Sequence, residues 1–169
     1  LSWGGGGGSD TVQLTGADLS IGTSASVNAG GATIQVRPST SALAFNLGAS
    51  TGGFQVDDGE LDLLVTTGNF EFGTSTTGVT QVNAVSKAAT YALATITSGN
   101  TVTFTVGAST FANALTVSTT STVTFSVGVT VTSGALSVTA DSGCSGTGLL
   151  TVADGATVQT GAGALTLQS

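Results

Sequence analysis

Residues 101–121, TVTFTVGASTFANALTVSTTS, align without a gap on residues 122–142, TVTFSVGVTVTSGALSVTADS, and ten of the 21 columns are identical. A tandem period of that length signals stacked supersecondary units, each too small to bury its own apolar face, so that neighbours complete one another's core. The identities include Val102/Val123, Phe104/Phe125, Val106/Val127, Leu115/Leu136 and Val117/Val138. Within TVTFTV the period is two: Val102, Phe104 and Val106 point one way and Thr101, Thr103 and Thr105 the other. The first set is expected in the core and the second on the surface. Leu115 to Val117 repeats the alternation, and turns are expected near Gly107 and Asn113. Short strands joined by turns rather than hairpins, two or three to each repeat, describe one coil of an all-β, right-handed parallel β-helix (a β-solenoid) with roughly 20-residue coils.

The rest of the chain has the same texture at less regular spacing: Ile34/Val36, Leu43/Phe45/Leu47, Phe54/Val56, Leu61/Leu63, Phe70/Phe72, Leu93, Leu150/Val152, Val158 and Leu165/Leu167. At that coil length the chain makes about eight coils, a rod of roughly 40 Å at the inter-strand spacing. A β-sandwich also has short strands between turns. Its strands occupy unlike positions, however, and would not repeat the same apolar residues at the same phase. Residues 1–10 are read as a Gly-rich linker or contact arm and residues 11–169 as a single solenoid domain.

Composition narrows the function. Only 7% of the 169 residues are charged, with 26 glycines, no His and two cations, Arg37 and Lys87. The surface must therefore be covered by Ser, Thr, Asn and Gly, and almost no helix is expected, because exposed helical positions favour Glu, Lys, Arg and Gln. A mean hydropathy of +0.42 argues against disorder. A net charge of −7 with two cations argues against nucleic acid as a partner. No apolar run is long enough to span a bilayer. The chain starts at Leu1 and holds no Met, and is read as a processed mature chain or an excised fragment.

Residues 32–86 carry a more specific signal in four short words: IQVRP at 34–38, NLG at 46–48, GELDLL at 59–64, and FEFG at 70–73 followed by TTG at 76–78. In that order the words resemble a recurrent block of bacterial filamentous-haemagglutinin-type exoproteins and large surface adhesins. The resemblance covers about a third of the chain. It implies a right-handed β-helical shaft, secreted and displayed outside the cell, and it brings no catalytic residues with it.

Candidate chemistry is sparse. Asp57, Asp58, Glu60 and Asp62 form an acidic run, and read as a strand it puts Asp58, Glu60 and Asp62 on one face and Asp57 on the other. Paired carboxylates can hydrolyse glycosides or hold calcium. One strand does not flank a substrate, though, and a solvated acidic face is the plainer reading. GGGGSDTVQ at 5–13 fits a calcium-binding nonapeptide once; such sites form between successive copies, and a linker into the first strand accounts for it. Without His, neither a hydrolytic triad nor a zinc site can be built, and Cys144 has no base. The expectation is no enzyme, no cofactor and no resident metal. Trp3 is expected to cap an apolar end or touch a neighbour. Thr101/Thr103 above Thr122/Thr124 resemble the Thr-x-Thr arrays of β-helical ice-binding proteins, a minor alternative.

The expected function is mechanical: an extracellular or cell-surface scaffold for a fibre, filament or adhesin shaft, built by self-association. A solenoid ends in unpaired strand edges, and such edges recruit strands unless charge, Pro or a helix blocks them. Thr11, Val12 and Leu14 at one end and Leu165 and Leu167 at the other are the expected assembly edges for head-to-tail stacking. These ends could equally continue into further coils of a longer protein. The alternative function is an adhesin whose rod binds glycans or a receptor.

Overall fold

Strand residues alternate between inside and outside along nearly the whole chain, and in the computed structural model, which describes residues 10–48, 52–88 and 90–169, the strands stack in layers. The first layer contains β1 (Thr11–Gly16) and β2 (Val27–Asn28). The second holds β3 (Thr33–Pro38), β4 (Phe45–Gly48), β5 (Phe54–Val56), the helix α1 (Asp58–Leu63) and β6 (Leu64–Val65). The third contains β7 (Asn69–Thr74), β8 (Thr80–Asn83) and β9 (Ser86–Lys87). Next come β10 (Leu93–Ser98), β11 (Val102–Thr105) and β12 (Ser109–Phe111), then β13 (Ala114–Thr119), β14 (Val123–Phe125) and β15 (Val129–Val131). The last strands are β16 (Leu136–Thr139), β17 (Leu150–Val152), β18 (Val158–Thr160) and β19 (Leu165–Gln168).

Strands at the same place in successive layers pair in parallel. The first sheet runs β1-β3-β7-β10-β13-β16-β19, the second β17-β14-β11-β8-β4-β5, the third β18-β15-β12-β9, and β2 pairs with β6. This is the arrangement of a β-solenoid. A sandwich is excluded, since every strand pair in these sheets is parallel.

Register ties the repeat to the core. Leu93 pairs with Ala114 and Leu115 with Leu136, a step of 21 residues each time. Val102 lies over Val123 and Phe104 over Phe125, and the two Phe rings stack 4.8 Å apart at 17°. Both rings are fully buried, as are Leu115, Val117, Leu136 and Val138. Further along the core Phe45 stacks on Phe54 and Phe70 on Phe72, and Tyr91 meets Phe70 edge-on.

The structure corrects several expectations. Val106 is outside the core: β11 stops at Thr105, and Val106 takes a positive φ of 66° at the corner, where its side chain is 77% exposed. Leu93 faces outward, and Ala94 and Ile96 supply the inward positions of β10. Steps elsewhere exceed 21 residues. Ile34 pairs with Phe70 and Leu136 with Leu165, steps of 36 and 29. These longer layers use up chain, so the first sheet has seven strands rather than eight coils' worth. Residues 59–64 do not form a strand; most of them belong to α1, which buries Leu61.

Candidate functional site

The acidic run is spent on local structure. Asp57 caps α1: its Oδ1 accepts from Glu60 N at 2.7 Å, while Glu60 Oε2 accepts from Asp57 N at 3.1 Å, a reciprocal capping box. The other oxygen of Glu60 accepts from Ile21 N at 3.1 Å, and Asp58 Oδ1 accepts from Ser86 N at 2.8 Å. Helical spacing thus replaces the strand faces expected for Asp58, Glu60 and Asp62. A cleft of about 460 Å³ opens beside Asp57, Glu60, Ile21 and Leu63, but its carboxylates are already bonded to backbone. Among the described residues no three His, Cys, Asp or Glu side chains come together as a metal site.

Lys87 closes the other end of α1. Its Nζ donates to Leu61 O and, at 3.0 Å, to Leu64 O, and lies 5.3 Å from the centre of the Phe70 ring. Burial lowers its pKa below the ordinary 10.5, partly offset by Asp62 and Asp58. The ammonium adds a donor to carbonyls at the helix end, where Leu61 O also accepts from Leu64 N.

The two ends of the stack differ. At the carboxy-terminal end β19, β17 and β18 are the last strands of their sheets. Register places Val152 against Phe125, Leu165 against Leu136 and Leu167 against Val138, all at inward positions. The inner partners are fully buried, whereas Val152 and Leu165 are 44% exposed and Leu167 is 40% exposed. Leu150 and Val158 are half-buried beside them. None of these three strands carries a charge. The apolar interior therefore reaches solvent there. Leu165 and Leu167 were legible as an edge; Leu150, Val152 and Val158 needed the three-sheet topology to be seen as the same surface.

At the amino-terminal end β1 is the outermost strand of the first sheet, with Val12 and Leu14 half-buried and Thr11 outward. The second sheet ends in β5, which doubles back beyond β4. Asp18 Oδ1 accepts from Gln55 N in β5 at 3.1 Å, and Leu19 and Ile21 pack against the core. A carboxylate at a strand edge opposes further pairing, so this end is covered over one sheet and bare over another. Trp3 and most of the 1–10 arm and the nonapeptide match lie outside the described residues.

Cys144 is exposed, in a loop where Asp141 accepts hydrogen bonds from Ser145 N, Ser145 Oγ and Gly146 N. Those bonds, the Ser145 hydroxyl foremost, lower the Asp141 pKa. Thr101 and Thr122 precede their strands, so the second sheet has one Thr column, Thr103, Thr124 and Thr151, rather than a Thr-x-Thr array. Paired rows occur on the first sheet instead: Thr95/Thr97, Thr116/Ser118 and Ser137/Thr139 follow one another in register. No helix among the described residues is long and apolar enough to cross a membrane.

Comparison with protein-family models, with curated proteins and with solved structures gave no match. Function must therefore be argued from the geometry.

Proposed function

We propose that this chain is a non-enzymatic structural module of a cell-surface or extracellular fibre, a right-handed β-solenoid with a basic coil of about 20 residues, lengthened by insertions in some layers, that associates end to end. The single observation that carries this reading is the open carboxy-terminal layer, where Val152, Leu165 and Leu167 continue a buried ladder yet remain 40–44% exposed on uncharged edge strands. Seating a second copy's β1 against β19 would set Leu165 against Val12 and Leu167 against Leu14. That repeats the inward alternation already present between β16 and β19. A head-to-tail contact of this kind does not close, so it propagates into filaments. Right-handedness follows from the strong preference of parallel crossovers within a sheet. The extracellular setting is supported by the hydroxyl-rich, charge-poor surface and by the adhesin-like words in residues 32–86.

Sedimentation tests the reading. The unmodified chain is expected to grow in mass with concentration, while Leu165→Lys with Leu167→Lys stays monomeric and keeps the same β circular dichroism. A wild type that remains monomeric at high concentration overturns it.

A further inference from the structure

The end of β1 and the turns after β3 and β7 meet at the corner that leads from the first sheet to the second. They enclose a cleft of about 230 Å³ lined by Arg37, Ser39, Thr40, Ser41, Thr76 and their neighbours. Arg37 is the chain's only arginine, and the other cation, Lys87, is buried on carbonyls and a ring. The cleft therefore carries the only positive charge that a solute can reach among the described residues. Among the described residues no hydrogen bond or ion pair engages its guanidinium. Glu71, on the strand next to that of Arg37, accepts from Gln35 Nε2 through its Oε2 at 2.8 Å.

The hydroxyls divide into two groups, besides Thr15 Oγ1, which accepts from Gln13 Nε2 at 2.9 Å. Those on the far wall are turned on each other: Thr74 and Thr76 Oγ1 lie 3.0 Å apart, and Thr77 Oγ1 accepts from Thr74 N at 2.8 Å. Ser39, Thr40 and Ser41 are exposed, and their hydroxyls are engaged by no other described residue. The backbone beneath them is held, since Ser39 N donates to Gly16 O at 2.7 Å and Ala42 N donates to Thr76 O at 2.8 Å. Arg37 at the end of β3 and three residues whose hydroxyls no described residue engages thus line the same cleft.

We propose that this cleft binds a single carboxylate-bearing sugar residue, the Arg37 guanidinium taking the carboxylate and Ser39, Thr40 and Ser41 the ring hydroxyls. A guanidinium matches a planar carboxylate with two parallel hydrogen bonds. The volume is below that of clefts for larger organic ligands and suits one sugar ring. A polyanion is a poor match, because the chain's net charge is −7 and no second accessible cation stands among the described residues.

The proposal is independent of end-to-end association, and its test uses the Leu165→Lys, Leu167→Lys chain beside the wild type so that the two can fail separately. Methyl glucuronide, methyl glucoside and inorganic sulfate are titrated by NMR. Saturable binding of the glucuronide alone is expected, weakening as salt is added. Arg37→Gln should lose about tenfold or more in affinity with unchanged circular dichroism, as expected on removing a charged hydrogen-bond partner. Ser39→Ala with Thr40→Ala should weaken the glucuronide while leaving its charge dependence in place. No glucuronide binding, equal binding of glucoside or of sulfate, or an Arg37→Gln chain that binds as the wild type does would each overturn it.

Discussion

Thr80 occupies a position that its neighbours fill with apolar side chains: it pairs with Phe45 on one side and Val102 on the other, in a column that continues to Val123. Its Oγ1 is buried and has no hydrogen-bond partner among the described residues. Other inward hydroxyls are satisfied across layers, Ser98 Oγ donating to Gly78 O at 2.7 Å and Thr66 Oγ1 to Ala32 O. An unpaired buried hydroxyl costs about 1–3 kcal/mol, and valine has the same shape without it. Thr80→Val is therefore expected to stabilise the fold by about 1 kcal/mol, read as a higher urea midpoint at unchanged slope. A lower midpoint would mean that the hydroxyl has a partner, such as a buried water, that offsets its burial. The sequence shows Thr80 only as one more threonine; that it points inward depends on a register with residues 22 and 35 positions away.

At the scale of elements, α1 shows how a period of two can mislead. Leu61 and Leu63 alternate as strand residues do, yet the spacing from Asp57 to Glu60 is that of a capping box, and this local signal decides the conformation. Lys87 completes the helix from another layer, which no local pattern reveals. Burial lowers its pKa, so the unfolded chain holds the proton more tightly than the folded one. The folded state is then penalised for carrying the charge at neutral pH, and stability rises as pH climbs from the lowered value towards 10.5. Comparing Lys87→Met with wild type across that range, the stability difference should shift in favour of the wild type as pH increases. A difference flat in pH would place the ammonium in a solvated setting. The strands of the 21-residue layers were legible because each repeats the phase of the one before. The 36- and 29-residue steps were not, since inserted chain breaks the period and a strand such as β5 finds its partner only in three dimensions.

For the molecule as a whole the open question is whether the layers unfold together. Each layer of a stack touches only its neighbours, so opening can be local or can spread through the array. Trypsin distinguishes the two. Arg37 is followed by Pro38, which leaves Lys87 as the one good site, and in the folded chain Lys87 is only 6% exposed, with its ammonium bonded. The folded protein should therefore resist trypsin, with cleavage following the population in which Lys87 has opened. Phe104, in the next layer, is stacked on Phe125 and fully buried, and Phe104→Ala should cost about 3–5 kcal/mol. If the stack opens as one unit, that loss raises cleavage at Lys87 by roughly a hundredfold to a few thousandfold, because each 1.4 kcal/mol is about a factor of ten. The measurement is made in the Leu165→Lys, Leu167→Lys background, so that the proposed end-to-end association has no part in the result. A cleavage rate untouched by Phe104→Ala would show that the region around Lys87 opens independently of the Phe104–Phe125 ladder, and the cooperative unit would then be smaller than the whole stack.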